Sequence, residues 1–191
     1  MIPAGGLSTQ PMPAPFVERV GSTLAPLTDY EMGGVALNDS SQGLRVKLWR
    51  VRVEGNAVYL RADGGSDQLM FSRPGISEVS LAFDQNMQPV IAFVQNGSAW
   101  LWWFDVSIPG MVFTQFPGIT NPRVCMDDKR PGQTANSDVI MAYIRDGSLC
   151  YRQQRERYQV ETTLGGDVPC GGLAAVCMST GGRLQFAFGG A

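Results

Sequence analysis

Val90-Ile91-Ala92-Phe93-Val94-Gln95-Asn96-Gly97-Ser98-Ala99-Trp100-Leu101-Trp102-Trp103-Phe104 reads as a β-hairpin. Two apolar runs flank an Asn-Gly pair, and both central positions of a type I′ turn need φ > 0, which this pair supplies at little cost. The same pattern recurs further along. Residues 139–144 lead into Arg145-Asp146-Gly147, and residues 148–154 return from it. With the turns in register, Ile91-Ala92-Phe93-Val94 falls on Met141-Ala142-Tyr143-Ile144. A short strand precedes each hairpin: residues 79–83, closed by Asp84-Gln85-Asn86, and residues 123–126, closed by Asp127-Asp128. A truncated third copy runs through residues 175–178, Gly181-Gly182 and residues 184–188. The repeat is about 45–50 residues long, the length of a four-stranded propeller blade. Three units fall short of the roughly four to eight blades of a closed ring. The expected fold is therefore all-β, with short antiparallel hairpins in a propeller-like or sandwich arrangement. Its open strand edges favour assembly with further copies of the chain.

The N-terminal side carries more strand signals. Leu44, Val46 and Leu48 alternate with Arg45 and Lys47, and then the parity shifts to Trp49, Val51 and Val53. A β-bulge near Leu48-Trp49 would reconcile the two halves, because one extra residue flips the alternation. Glu54-Gly55-Asn56 turns the chain into residues 57–60, Asp63-Gly64-Gly65 ends that strand, and residues 68–71 form another. Residues 1–29 are rich in Pro, Gly, Ala and Ser and read as an extended arm. A weak helical signal spans residues 15–25, and Phe16, Val17 and Val20 are candidate anchors of the arm on a neighbour. The expected organisation is an arm over 1–29 and an all-β domain over 30–191, with sub-units 30–75 and 76–191.

Composition excludes several kinds of chemistry. The 191 residues include no histidine, so Ser-His-Asp triads, Cys-His pairs and His-ligated zinc are absent. The formal net charge of −2 offers no field for nucleic acid. Cys125, Cys150, Cys170 and Cys177 contain no CxxC pair, and Cys125 and Cys150 lie in apolar runs, so reduced structural thiols are expected rather than a disulfide or a metal site. Residues 1–15 lack the basic and apolar regions of a signal peptide, and no apolar run approaches the ~18 residues of a membrane helix. A soluble chain made without export is expected. The glycine pairs at 64–65, 165–166 and 171–172 match no phosphate-binding loop.

Three clusters remain as candidates. In a strand, Trp100, Trp102 and Phe104 share one face, and Leu101 and Trp103 the other. They suit core or interface packing, with a sugar-stacking platform as the alternative. Arg152, Arg155 and Arg157 could grip phosphates or a partner's carboxylates, or form a solvated strand end, and the net charge favours a strand end or a protein interface. Asp84, Asp127, Asp128 and Asp138 could serve acid–base or metal chemistry only if the fold gathered them, and turn-forming Asp is the commoner case. No catalytic constellation, cofactor motif or metal-ligand set emerges.

Several phrases carry a family resemblance. They are Asp29-Tyr30-Glu31-Met32-Gly33-Gly34-Val35-Ala36-Leu37-Asn38-Asp39 with Ser41-Gln42-Gly43-Leu44, then Ile76-Ser77-Glu78-Val79-Ser80-Leu81-Ala82-Phe83-Asp84-Gln85-Asn86-Met87. Asp138-Val139-Ile140-Met141-Ala142-Tyr143-Ile144-Arg145-Asp146-Gly147 and Tyr151-Arg152-Gln153-Gln154-Arg155-Glu156-Arg157-Tyr158 complete them. Across residues 29–188 the chain resembles small tail-associated structural proteins of short-tailed bacteriophages. The resemblance implies a non-enzymatic virion component without cofactor, made in the host cytoplasm and built into the tail or head–tail junction. Its implied partners are copies of itself and other tail or head–tail proteins, not nucleic acid or membrane. The alternative is a carbohydrate-binding module that reads a host glycan.

Overall fold

A computed structural model describes residues 30–33, 37–39, 43–45, 48–62, 64–84, 88–108, 110–126, 139–169, 171–178 and 184–189. The residues 1–29 assigned to an arm, Phe16 and the 15–25 helical signal among them, lie outside the described residues, as do Asp127, Asp128, Asp138 and Cys170. The described chain is almost entirely β. Its strands are β1 (Tyr30–Gly33), β2 (Leu37–Asp39), β3 (Gly43–Arg45), β4 (Leu48–Glu54), β5 (Ala57–Ala62), β6 (Gln68–Ser72), β7 (Ile76–Phe83) and β8 (Pro89–Gln95). They continue with β9 (Ser98–Phe104), β10 (Met111–Phe116), β11 (Thr120–Met126), β12 (Val139–Arg145), β13 (Ser148–Gln153), β14 (Thr162–Gly165), β15 (Leu173–Met178) and β16 (Leu184–Phe188). A 3₁₀ turn, Gln154–Glu156, follows β13.

All pairings are antiparallel. Strands β7–β10 and β11–β14 form two four-stranded sheets in the same chain order, and a third sheet runs β1-β4-β5-β6. Strands β15 and β16 make a two-stranded sheet, as do β2 and β3. Successive sheets pack on one another: β1 and β4 on β7, β7 on β11 and β11 on β15. This is a propeller-like stack of three four-stranded blades and one half-blade. The hairpins at 96–97 and 146–147 sit at the same place in their blades. Asn96 and Gly97 take φ values of 49° and 76°, and Asp146 and Gly147 take 49° and 74°. These are the positive pairs that a two-residue turn between right-twisted strands requires.

Stacking explains why β12 is apolar at consecutive positions rather than at alternate ones. Val139, Met141 and Tyr143 join a core shared with blades one and two. Ile140 and Ala142 join a second core with Leu173 and Val176 of the half-blade, against which Leu184, Phe186 and Phe188 pack. Successive side chains point to opposite faces of a strand, so a blade clasped on both faces needs apolar residues at both parities. Cys125, Cys150 and Cys177 carry thiols rather than disulfides, and the first two are buried.

Two sequence expectations change. No bulge joins the halves of 43–54. Residues Gly43–Arg45 and Leu48–Glu54 are separate strands, β3 pairing with β2, and β4 with β1 and β5, so the parity shift marks a change of sheet. The strand expected over 148–154 ends at Gln153, where the 3₁₀ turn begins. The outer strands β10 and β14 escaped the repeat reading altogether.

Candidate functional site

The aromatic run on β9 is shared between two blade interfaces. Register pairs Phe93 with Trp100 and Ile91 with Trp102, placing these four on one face of blade two. On that face the Phe71 ring of β6 lies 5.2 Å from Phe93 and 5.3 Å from Trp102, and Phe113 of β10 closes the cluster edge-on at 5.2 Å from Phe71. Edge-to-face and tilted pairs at such separations are the favoured aromatic geometries. The opposite face carries Leu101 and Trp103. Trp103 is buried, meets the Tyr158 ring of blade three edge-on at 5.1 Å, and donates its indole N–H to Thr114 Oγ1 at 3.0 Å. The aromatics thus serve as two-sided mortar between blades. Phe104, at the end of the run, is half-buried.

Trp100 and Trp102 are only half-buried, which raises the question of a ligand. The Arg73 guanidinium sits 4.2 Å over the Trp100 ring and 4.6 Å over Phe113. Its Nη1 is buried without a hydrogen-bond acceptor among the described residues, so the ring faces supply its favourable contact. One face of the Trp100 ring is therefore covered by a residue of the chain itself.

The three arginines expected as an interface diverge. Arg152 turns inward. It donates from Nε to Tyr143 Oη at 2.9 Å, from Nη1 to the Tyr158 and Gln159 carbonyls at 2.8 Å each, and from Nη2 to Glu161 at 3.2 Å. Tyr143 also donates to Glu161, and Arg145 approaches the same carboxylate oxygen at 2.9 Å. Arg157, in a left-handed conformation, donates to Asp105 Oδ2 from Nη2 at 2.6 Å and from Nε at 3.2 Å. Asp105 Oδ1 accepts from the backbone N–H of Ser107 at 2.9 Å and from its hydroxyl at 2.7 Å. This carboxylate therefore latches the loop after β9 to the turn after β13. Arg155 stays exposed and donates to Gln153 Oε1. All three arginines thus bond within the chain.

Sequence reasoning did not single out Arg123. Only 7% of its side chain is exposed, and it spans three blades. It donates from Nε to the Ala174 carbonyl of β15 at 2.8 Å, and from Nη1 to Glu78 of β7 at 2.8 Å and the Pro122 carbonyl at 3.0 Å. Nearby, Ser80 Oγ accepts from the Val124 N–H, and the Asp84 carboxylate accepts from Gln154. A charged residue heading the apolar run Val124-Cys125-Met126 was the available signal.

Burial alone would push the Asp105 and Glu161 carboxyls up. At Asp105 the Ser107 hydrogen bonds and Arg157 outweigh it, and at Glu161 the Tyr143 hydrogen bond with Arg145 and Arg152 does so; both end below the usual carboxylate range. Burial and the Glu161 carboxylate push the Tyr143 hydroxyl well above its ordinary value. A carboxyl whose folded pKa lies below its unfolded value binds fewer protons folded than unfolded. Its stabilisation is complete above the unfolded values of about 4 and is lost as pH falls through the lower folded value. Thermal melts from pH 7 down to pH 2 should therefore show a stability loss beginning near pH 4. Glu161→Gln should lower stability at pH 7 by about 2 kcal/mol, the scale of hydrogen bonds to charged groups, and flatten that acid limb. An unchanged acid limb in the variant would remove Glu161 from this account.

Among the described residues no group of three or more Cys, Asp or Glu is placed to hold a metal ion. No helix among them is long and apolar enough to cross a membrane. The architecture is a propeller-like stack of antiparallel blades, and many of its charged and aromatic groups contact one another. No family model matches the chain. No curated protein was found to match it in sequence.

Proposed function

We propose that the chain is a non-enzymatic virion structural protein of a tailed bacteriophage, present in multiple copies in the tail or head–tail junction. The observation that carries this reading is the resemblance to phage tail-associated proteins across residues 29–188, in the phrases at 29–39, 41–44, 76–87, 138–147 and 151–158. The disposition of the polar groups supports it. Arg73, Arg123, Arg152 and Arg157 are engaged in joining parts of the chain rather than converging on a cleft. The remaining exposed apolar side chains suit contacts with other proteins: Leu69, Val106, Ile108, Phe113, Val160 and Leu164.

The test is to purify virions of the phage encoding the chain and quantify its tryptic peptides by mass spectrometry against a major head protein. The expected result is a fixed copy number above one per particle, with density for the chain in a tail or head–tail reconstruction. Absence from purified virions overturns the reading. The glycan-binding alternative is separated by acrylamide quenching of tryptophan fluorescence. Weak quenching that added oligosaccharides leave unchanged is the outcome expected here.

A further inference from the structure

Among the described residues the half-blade β15–β16 has two strands, whereas the other three blades have four each. The strands equivalent to β16 are β8 and β12, which pair on both edges. Both are largely buried, while β16 alternates between half-buried and exposed positions. Among the described residues nothing pairs with the outer edge of β16. Leu184-Gln185-Phe186-Ala187-Phe188 contains no charge and no proline, the usual devices that protect an edge strand. The strand is also held in place. The Gly189 N–H donates to the Gly172 carbonyl at 2.9 Å, and Gly171 and Gly189 approach so closely that a Cβ on Gly171 would fall 1.7 Å from the Gly189 oxygen.

We infer that β16 is a homodimer contact strand, pairing antiparallel with β16 of a second copy so that two half-blades make one four-stranded blade. The inference rests on the multi-copy part of the proposed function. Identical strands related by a two-fold axis pair antiparallel of necessity, and such an interface is self-complementary. Two strands plus two restores the blade size seen three times in this chain. In the register centred on Phe186, Leu184 falls opposite the partner's Phe188, and Gln185 opposite the partner's Ala187. Leu184, Phe186 and Phe188 share one face, so the partner's apolar face extends the second core.

Charge exchange at the two exposed positions tests this register. Gln185 and Ala187 point away from the core, so substitutions there spare the monomer. Q185K/A187K sets like charges opposite one another twice, whereas Q185E/A187K sets opposite charges there. Mass photometry and sedimentation of the full chain should show native dimers, or assemblies built from them. Self-association should be about tenfold weaker in Q185K/A187K and restored in Q185E/A187K, with far-UV circular dichroism unchanged. With Cys177, which faces position 185 across the hairpin, replaced by serine, mixing Q185C with A187C should give a disulfide between positions 185 and 187 of different copies, and little between two 185 positions, whose Cα atoms are too far apart in this register. If the native chain assembles but both charge variants assemble equally and no 185–187 bond forms, the inference falls and the multi-copy reading stands. Residues 1–29 or another protein then occupy the edge. A native monomer at micromolar concentration overturns the inference, whereas the multi-copy reading is decided by the copy number in purified virions.

Discussion

Phe93→Ala is expected to destabilise the protein by about 3–5 kcal/mol, the range for removing a buried aromatic ring. Phe93 is fully buried at the centre of the seam between the first two blades. Its ring lies 5.2 Å from Phe71, 6.2 Å from Phe113 and 6.4 Å from Trp100. These neighbours stand on three different strands, β6, β10 and β9, so none can move into the void without dragging a strand out of register. The cost therefore includes the cavity as well as the lost transfer energy. For a chain of this size the melting temperature should fall by roughly 6–20 °C. Phe93→Leu keeps most of the volume and should cost less than about half as much. Thermal denaturation followed by circular dichroism checks both. A loss below about 1 kcal/mol for the alanine variant would show that the seam does not hold the two blades together.

Arg123→Met is expected to cost about 3 kcal/mol, the low end for breaking a buried ion pair. Methionine keeps the stem but removes three donated hydrogen bonds, leaving the Ala174 and Pro122 carbonyls without them. The loss should be local as well as global. Arg123 lies on β11 and reaches both β7 and β15, so amide exchange should quicken most in β15 and β16, at the end of the stack. Glu78→Gln should cost less, because about a quarter of the Glu78 side chain is exposed and water can replace part of what it loses. Equal exchange rates in β15 for Arg123→Met and the native chain would remove the arginine as a tie between blades.

The all-β class and the repeated hairpins were legible because they rest on local chemistry. Asn96-Gly97 and Asp146-Gly147 specify their turns within a few residues, and the apolar runs beside them needed only to be extended. The parity of β9 was legible for the same reason. The outer strands β10 and β14 were not. Met111-Val112-Phe113-Thr114-Gln115-Phe116 has no clean alternation, and Thr162–Gly165 is exposed throughout, because an outer strand has little core to face. At Arg152, Arg155 and Arg157 the residues were visible but their partners were not. Asp105 is 52 positions from Arg157 in sequence, and only the packing of blade two on blade three brings them together. Arg123 was missed because its main partners, Glu78 and the Ala174 carbonyl, are 45 and 51 positions away.

The meander order of the blades has a consequence for how the chain acquires its structure. Within β7–β10 and β11–β14, every pairing joins strands consecutive in sequence, and the β8–β9 and β12–β13 links are two-residue turns. Short loops cost little closure entropy, and local pairings form faster than distant ones. Each blade can close while the next is still being synthesised, and each newcomer finds a finished surface to settle on. The aggregation-prone interval of translation then shrinks to the exposure of one blade face at a time.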